Sequence, residues 1–140
     1  MNPLLMPGSV LHVRGESLEP AVLLHGINLN PYQQNNANEL RSIGPRKGQA
    51  YGAGGFSLLV SDVDGDLSAQ IQDAISFLAA NQDSLSKVLA NPAVDDSRLD
   101  FGYNLRISDR MAIQCDYLPP ELLRLAGEVN IGIELSLYPT

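Results

Sequence analysis

The chain has 140 residues, 44% of them hydrophobic and 18% charged, enough to build one core and well outside the composition of disordered chains. Sixteen acidic residues against nine Lys and Arg give a formal charge of −7 and a pI near 4.6, a balance that repels phosphate backbones and excludes nucleic acid as the expected partner. Apolar runs such as 21–24 are far shorter than the roughly 18 residues a bilayer span needs. The opening Met1-Asn2-Pro3-Leu4-Leu5-Met6-Pro7-Gly8 lacks a leader's basic region and long apolar run, and Cys115 is the lone cysteine. The expectation is a soluble cytoplasmic protein of one domain, 1–140, that makes no contact with a membrane.

Residues 9–14 alternate apolar and polar, which predicts a strand with Leu11 and Val13 on one face. Ser17, followed by Leu18, Glu19 and Pro20, opens a short helix over 18–26 that Gly26 terminates. From 28 to 55, two prolines, five glycines and a cluster of Asn and Gln show no sustained period and predict a long exposed loop. The compact apolar run 56–61 reads as a buried strand. After the acidic turn, Leu67, Ile71, Ala74, Ile75 and Leu78 recur at helical spacing and predict a helix over 66–80. A second helix over 83–90 is closed by Asn91-Pro92.

Leu99, Phe101, Tyr103 and Leu105 alternate as a strand, and so do Met111, Ile113 and Cys115, so 106–110 reads as a hairpin connection. Cys115 is expected to be a buried, inert thiol of that second strand. Pro119-Pro120 opens a helix ending near Gly127, and Ile131, Ile133, Leu135 and Leu137 form a last strand. The series Leu11, Val13, Glu16, Leu18, Pro20, Val22, Leu23 is echoed by Met111, Ile113, Asp116, Leu118, Pro120, Leu122, Leu123. Either a strand-helix unit is duplicated or two such units share local caps. The order β-α-β-α-α-β-β-α-β predicts an α+β fold, a mostly antiparallel sheet with short helices on one face.

The opening strand with Leu18-Glu19-Pro20, the stop near Gly26-Ile27, Gly44-Pro45-Arg46-Lys47-Gly48, and the closing Leu118-Pro119-Pro120-Glu121-Leu122-Leu123 with its alternating last strand resemble a small bacterial family of domains of unknown function. The resemblance implies no activity and assigns no residue a role. By analogy, small acidic domains of this kind are similar to the immunity proteins that neutralise toxins in bacterial competition.

Candidate chemistry is sparse. Asp62, Asp64, Asp66 and Asp73 partly match a calcium-loop frame, but Leu67 stands where the sharp turn needs glycine, and a turn whose last acid caps a helix explains the same residues. No cofactor is expected. Gly52-Ala53-Gly54-Gly55 precedes a strand, whereas phosphate loops open a helix; Arg41, Arg46 and Lys47 nearby serve either an anion or solubility. Tyr32, Tyr51 and Arg46, with Lys47 beside it, are also types that anchor protein interfaces. His12 and His25 have no nucleophile at a spacing that supports catalysis.

The leading expectation is a non-enzymatic protein-binding module, after the immunity-protein analogy, using its acidic surface and the 28–55 loop against a basic protein. The alternative is a small-ligand binder or enzyme with a pocket between sheet and loop, contacted by His12, His25 and Arg46. The regular last strand, 131–138, could also pair with a second copy as a homodimer edge.

Overall fold

The computed structural model describes residues 8–139; the stretch 1–7, which the leader reading concerns, lies outside them. Five strands form one sheet: β1 (Ser9–Gly15), β2 (Gln33–Asn35), β3 (Gly54–Ser61), β4 (Asp96–Asn104) and β5 (Gly132–Tyr138), in the order β2-β3-β1-β4-β5. β1 runs antiparallel to β3 and β4, and β2 antiparallel to β3, while β5 joins β4 in parallel. The helices are α1 (Pro20–Leu23), α2 (Leu67–Ala80), α3 (Gln82–Leu89) and α4 (Pro120–Glu128). This is the expected α+β architecture, with three antiparallel pairings and one parallel.

Alternation along β1 decides the two faces. Leu11 and Val13 are buried with Phe56, Leu58 and Leu99, their partners across the sheet, with Phe101 of β4, and with Ile71, Ala74, Leu78, Leu85, Leu122 and Ala126 from the helices. Apolar side chains at every second strand position and every third or fourth helix position therefore close a single core between sheet and helices. The intervening positions Val10, His12, Arg14, Ser57, Leu59, Arg98, Asp100, Glu134 and Ser136 share the opposite face.

Local signals set the element ends. Asp66 caps α2, its carboxylate accepting from the Ala69 N–H at 3.1 Å. Buried Gln70 ties α2 to the sheet, its Nε2 donating to the Val63 carbonyl at 2.9 Å and the Gly102 carbonyl at 2.8 Å. The α4 crossover is what lets β5 lie parallel to β4, since a tight turn permits only an antiparallel neighbour.

Four expectations need correction. Residues 111–115 form no strand: β1 and β5 already occupy both edges of β4, leaving a hairpin partner nothing to pair with. A narrow turn bridging Ser108 and Met111 stands there instead, and Cys115 is exposed rather than buried. The echoed unit consequently has a strand in its first copy and none in its second. The first helix spans four residues, not nine, although Gly26 does take the left-handed conformation at φ 74. Finally, 28–55 is not wholly irregular. It supplies β2 and the first two residues of β3, and its tip is a hairpin in which Tyr51 N–H donates to the Glu39 carbonyl and Arg41 N–H to the Gln49 carbonyl, both at 2.9 Å. Among the described residues no helix is long and apolar enough to cross a membrane.

Candidate functional site

The hairpin excursion stands beside β2 and encloses a cleft of about 650 Å³ lined by Tyr32, Leu40, Arg41, Ile43, Arg46 and Tyr51 among others. Three of the four residues singled out from sequence therefore meet around one space. The fourth, Lys47, lies in the turn closed by its own N–H donating to the Gly44 carbonyl at 3.1 Å and does not line the cleft. Large apolar side chains stand open here: Ile43 is 81% exposed, Leu40 63% and Tyr32 60%. Three cations, Arg41, Arg46 and Lys47, face one carboxylate, Glu39, within 28–55, so the excursion is locally basic on an acidic chain.

A second, smaller cleft of about 220 Å³ adjoins the first, sharing Gln33, Arg41 and Tyr51, and is completed by Arg14, Asn35, Gly52 and Ala53. Arg14 reaches it because Gly55, its partner across β1 and β3, has no side chain: a Cβ there would stand 2.6 Å from Arg14 Nη1. Nη1 donates to the Phe56 carbonyl at 3.1 Å and the Val13 carbonyl at 3.0 Å. Burial draws the Arg14 pKa below its ordinary value, with Tyr32, Asp96 and Tyr51 opposing. Arg41 stacks its guanidinium 4.1 Å from the centre of the Tyr51 ring. Sequence reasoning missed Arg14, Gln33 and Asn35; the glycine pair at the start of β3 signalled a close approach, but that Arg14 makes it follows from the cross-strand pairing alone.

Across the rest of the open face runs a polar network. His12 Nδ1 and Ser57 Oγ are 2.9 Å apart, and Ser136 Oγ donates to Asp100 at 2.6 Å. Arg98 bridges Asp96 at 2.9 Å and Glu134 at 2.6 Å. Burial, and then Arg14, hold the His12 pKa down against the pull of Asp100 and Glu134. Burial raises the Asp100 pKa although the Ser136 hydrogen bond lowers it. Ser57 is 1% exposed, so its hydroxyl beside His12 is shielded from solvent.

The remaining candidates are dispersed. His25 is exposed just after α1, and neither histidine lines the two clefts. Asp66 is engaged as a cap and Asp73 accepts from Ser61 Oγ at 2.7 Å. Among the described residues no three His, Cys, Asp or Glu side chains cluster closely enough to hold a metal ion. Gly54 and Gly55 belong to β3, not to a loop opening a helix. A third cleft, about 680 Å³, lies between the start of α2 and 106–119 and includes Cys115. Its one arginine, Arg106, is neutralised by Asp116. Comparison with family models, curated proteins and solved structures finds no match to this chain.

Proposed function

We propose that the chain is a non-enzymatic protein-binding module that receives its partner on the 28–55 excursion, in the manner of the bacterial immunity proteins that cover a toxin. The observation that carries this reading is the exposure of Ile43, Leu40 and Tyr32 together around a cleft ringed by Arg41 and Arg46. Apolar and aromatic anchors with arginine at their rim are the residue types that dominate interface energetics. Lacking an accessible nucleophile beside His12, the polar network of the open face supports binding more than turnover.

The charge divides the work. The excursion is basic, so a basic partner protein is met by the acidic remainder of the surface, which steers its approach while the excursion supplies the apolar contact. The proposed setting is the cytoplasm, where an exposed thiol such as Cys115 stays reduced.

The test is capture by the tagged full chain from its own cells, washed at rising salt, with Ile43→Asp beside the wild type and Ile113→Asp as a control at a second exposed site, 72% accessible. A partner that Ile113→Asp retains and Ile43→Asp loses supports the reading. Equal retention by all three places the contact elsewhere and refutes it.

A further inference from the structure

We propose that the small cleft between β2 and the hairpin excursion binds an oxyanion, a phosphate or carboxylate group of a small molecule, held between the guanidinium groups of Arg14 and Arg41. The inference stands on this pair of arginines and does not depend on the protein-docking reading.

Every residue lining the cleft is cationic or neutral: Arg14, Arg41, Gln33, Asn35, Tyr51, Gly52 and Ala53. On a chain of charge −7, two arginines facing one space without a carboxylate is an imbalance that asks for an anion. Glu39, the acid nearest Arg41 in sequence, lines the larger cleft and not this one. Asp96, opposite Arg14 on β4, bonds Arg98 at 2.9 Å. Neither Arg14 nor Arg41 makes an ion pair among the described residues, where the arginines that do are Arg98 and Arg106. Arg14 uses only Nη1 in its bonds to backbone carbonyls, and the fork of a guanidinium carries five N–H donors. Arg41 Nε is shielded from solvent and finds no acceptor among the described residues. Burial outweighs the opposing pull of Tyr32, Asp96 and Tyr51 on Arg14, the sense expected of a partly buried arginine without an ion-pair partner.

The arrangement is also preorganised. The open slot over Gly55 fixes the path of Arg14, and Arg41 is placed with its Cζ over the Tyr51 ring, 4.1 Å from the centroid. Two planar forks held in place match the paired oxygens of phosphate or carboxylate better than flexible ammonium groups would. The larger cleft shares Gln33, Arg41 and Tyr51 with the smaller, so an anionic head at the arginines leaves the body of the ligand against Tyr32 and Ile43.

The experiment is a titration of the full chain with sodium phosphate, and separately with sodium acetate, each against sodium chloride at matched ionic strength, following Tm and the arginine side-chain N–H signals by NMR. Expected is a saturable rise in Tm above the chloride control with phosphate, acetate or both, with shifts at Arg14 and Arg41. Which anion acts tells phosphate from carboxylate. Arg41→Gln removes no side-chain hydrogen bond among the described residues, so it should keep the wild-type circular dichroism spectrum and bind at least about tenfold more weakly, the scale of one lost charged contact. Arg14→Gln is the second variant. A response equal to chloride for both anions, or unchanged affinity in a folded Arg41→Gln protein, overturns the proposal.

Discussion

The Arg14 side chain lies so close over Gly55 that a Cβ at Gly55 would stand 2.6 Å from both its Cδ and its Nη1. The same Cβ would meet the Val13 carbonyl oxygen at 2.6 Å, and that backbone atom cannot swing away. Gly55→Ala should therefore destabilise the chain by about 1–3 kcal/mol, as overpacking generally does. Arg14→Ala in the same chain relieves the side-chain clash but not the backbone one, so the two substitutions should couple in a double-mutant cycle of urea unfolding. Strict additivity would mean that Arg14 does not occupy the slot.

Gln70 is fully buried and serves two carbonyls from different elements, Val63 and Gly102. Gln70→Leu fills similar space but leaves both acceptors without that donor. Each buried polar group so orphaned costs about 1–3 kcal/mol, so the loss in unfolding free energy should exceed that of the surface substitution Gln72→Leu on the same helix. Similar midpoints for the two variants would show that water replaces the amide.

Much of this architecture was legible from periodicity. Leu67, Ile71, Ala74 and Leu78 mark α2 by spacing alone, and Leu11 and Val13 identify the inward face of β1. What escaped was non-local. Met111, Ile113 and Cys115 alternate as a strand should, yet strand formation depends on a free edge, and β5 takes that edge from the far end of the chain. β2 escaped for the converse reason: Gln33, Gln34 and Asn35 have no apolar pattern and become a strand because β3 offers them partners. The candidate site divides likewise. Tyr32, Arg46 and Tyr51 could be nominated by residue type, whereas Arg14 enters the cleft through a cross-strand pairing that the sequence does not display.

His12 gives a pH dependence of definite sign. Burial, its largest influence, keeps its folded pKa below the ordinary 6.5. The unfolded chain therefore takes up a proton first as pH falls, and stability drops from about pH 6.5 down to the folded pKa, then levels off for this group. Above pH 6.5 the contribution is fully present. In urea titrations at pH 8 and pH 5.5, His12→Gln should show a smaller drop between the two than the wild type. A wild-type drop no larger than that of the variant would mean the folded ring protonates freely.

Asp100 carries the opposite lesson. Burial raises its pKa above 3.8 despite the Ser136 donor, so its ionised form is the one folding disfavours. Stability attributable to this group is greatest at acid pH and falls as pH rises through the interval between 3.8 and the folded value. Asp100→Asn retains an acceptor for Ser136 and removes the charge, and should raise Tm at pH 7 while leaving it nearly unchanged at pH 3. Lower Tm at pH 7 would mean that attraction to His12 and Arg98 outweighs burial.

Asp116 is the acceptor on which 105–119 is anchored. Tyr103 Oη donates to it at 3.1 Å, Gln114 Nε2 at 2.8 Å, and Arg106 Nη2 closes an ion pair with it. Burial alone would raise its pKa, but the bonds from Gln114, Arg106 and Tyr103 prevail and lower it. This contribution is present above pH 3.8 and is lost as pH falls through the folded pKa. Asp116→Ala should cost about 1–3 kcal/mol, because it leaves the Tyr103 hydroxyl, on a side chain 1% exposed, without this acceptor. The segment has no ladder or helix to fall back on, so its amide hydrogens should exchange faster in the variant while those of β1 and β3 change only with global stability. Unaltered exchange across 105–119 would show that packing against α2, rather than the carboxylate, holds the segment in place.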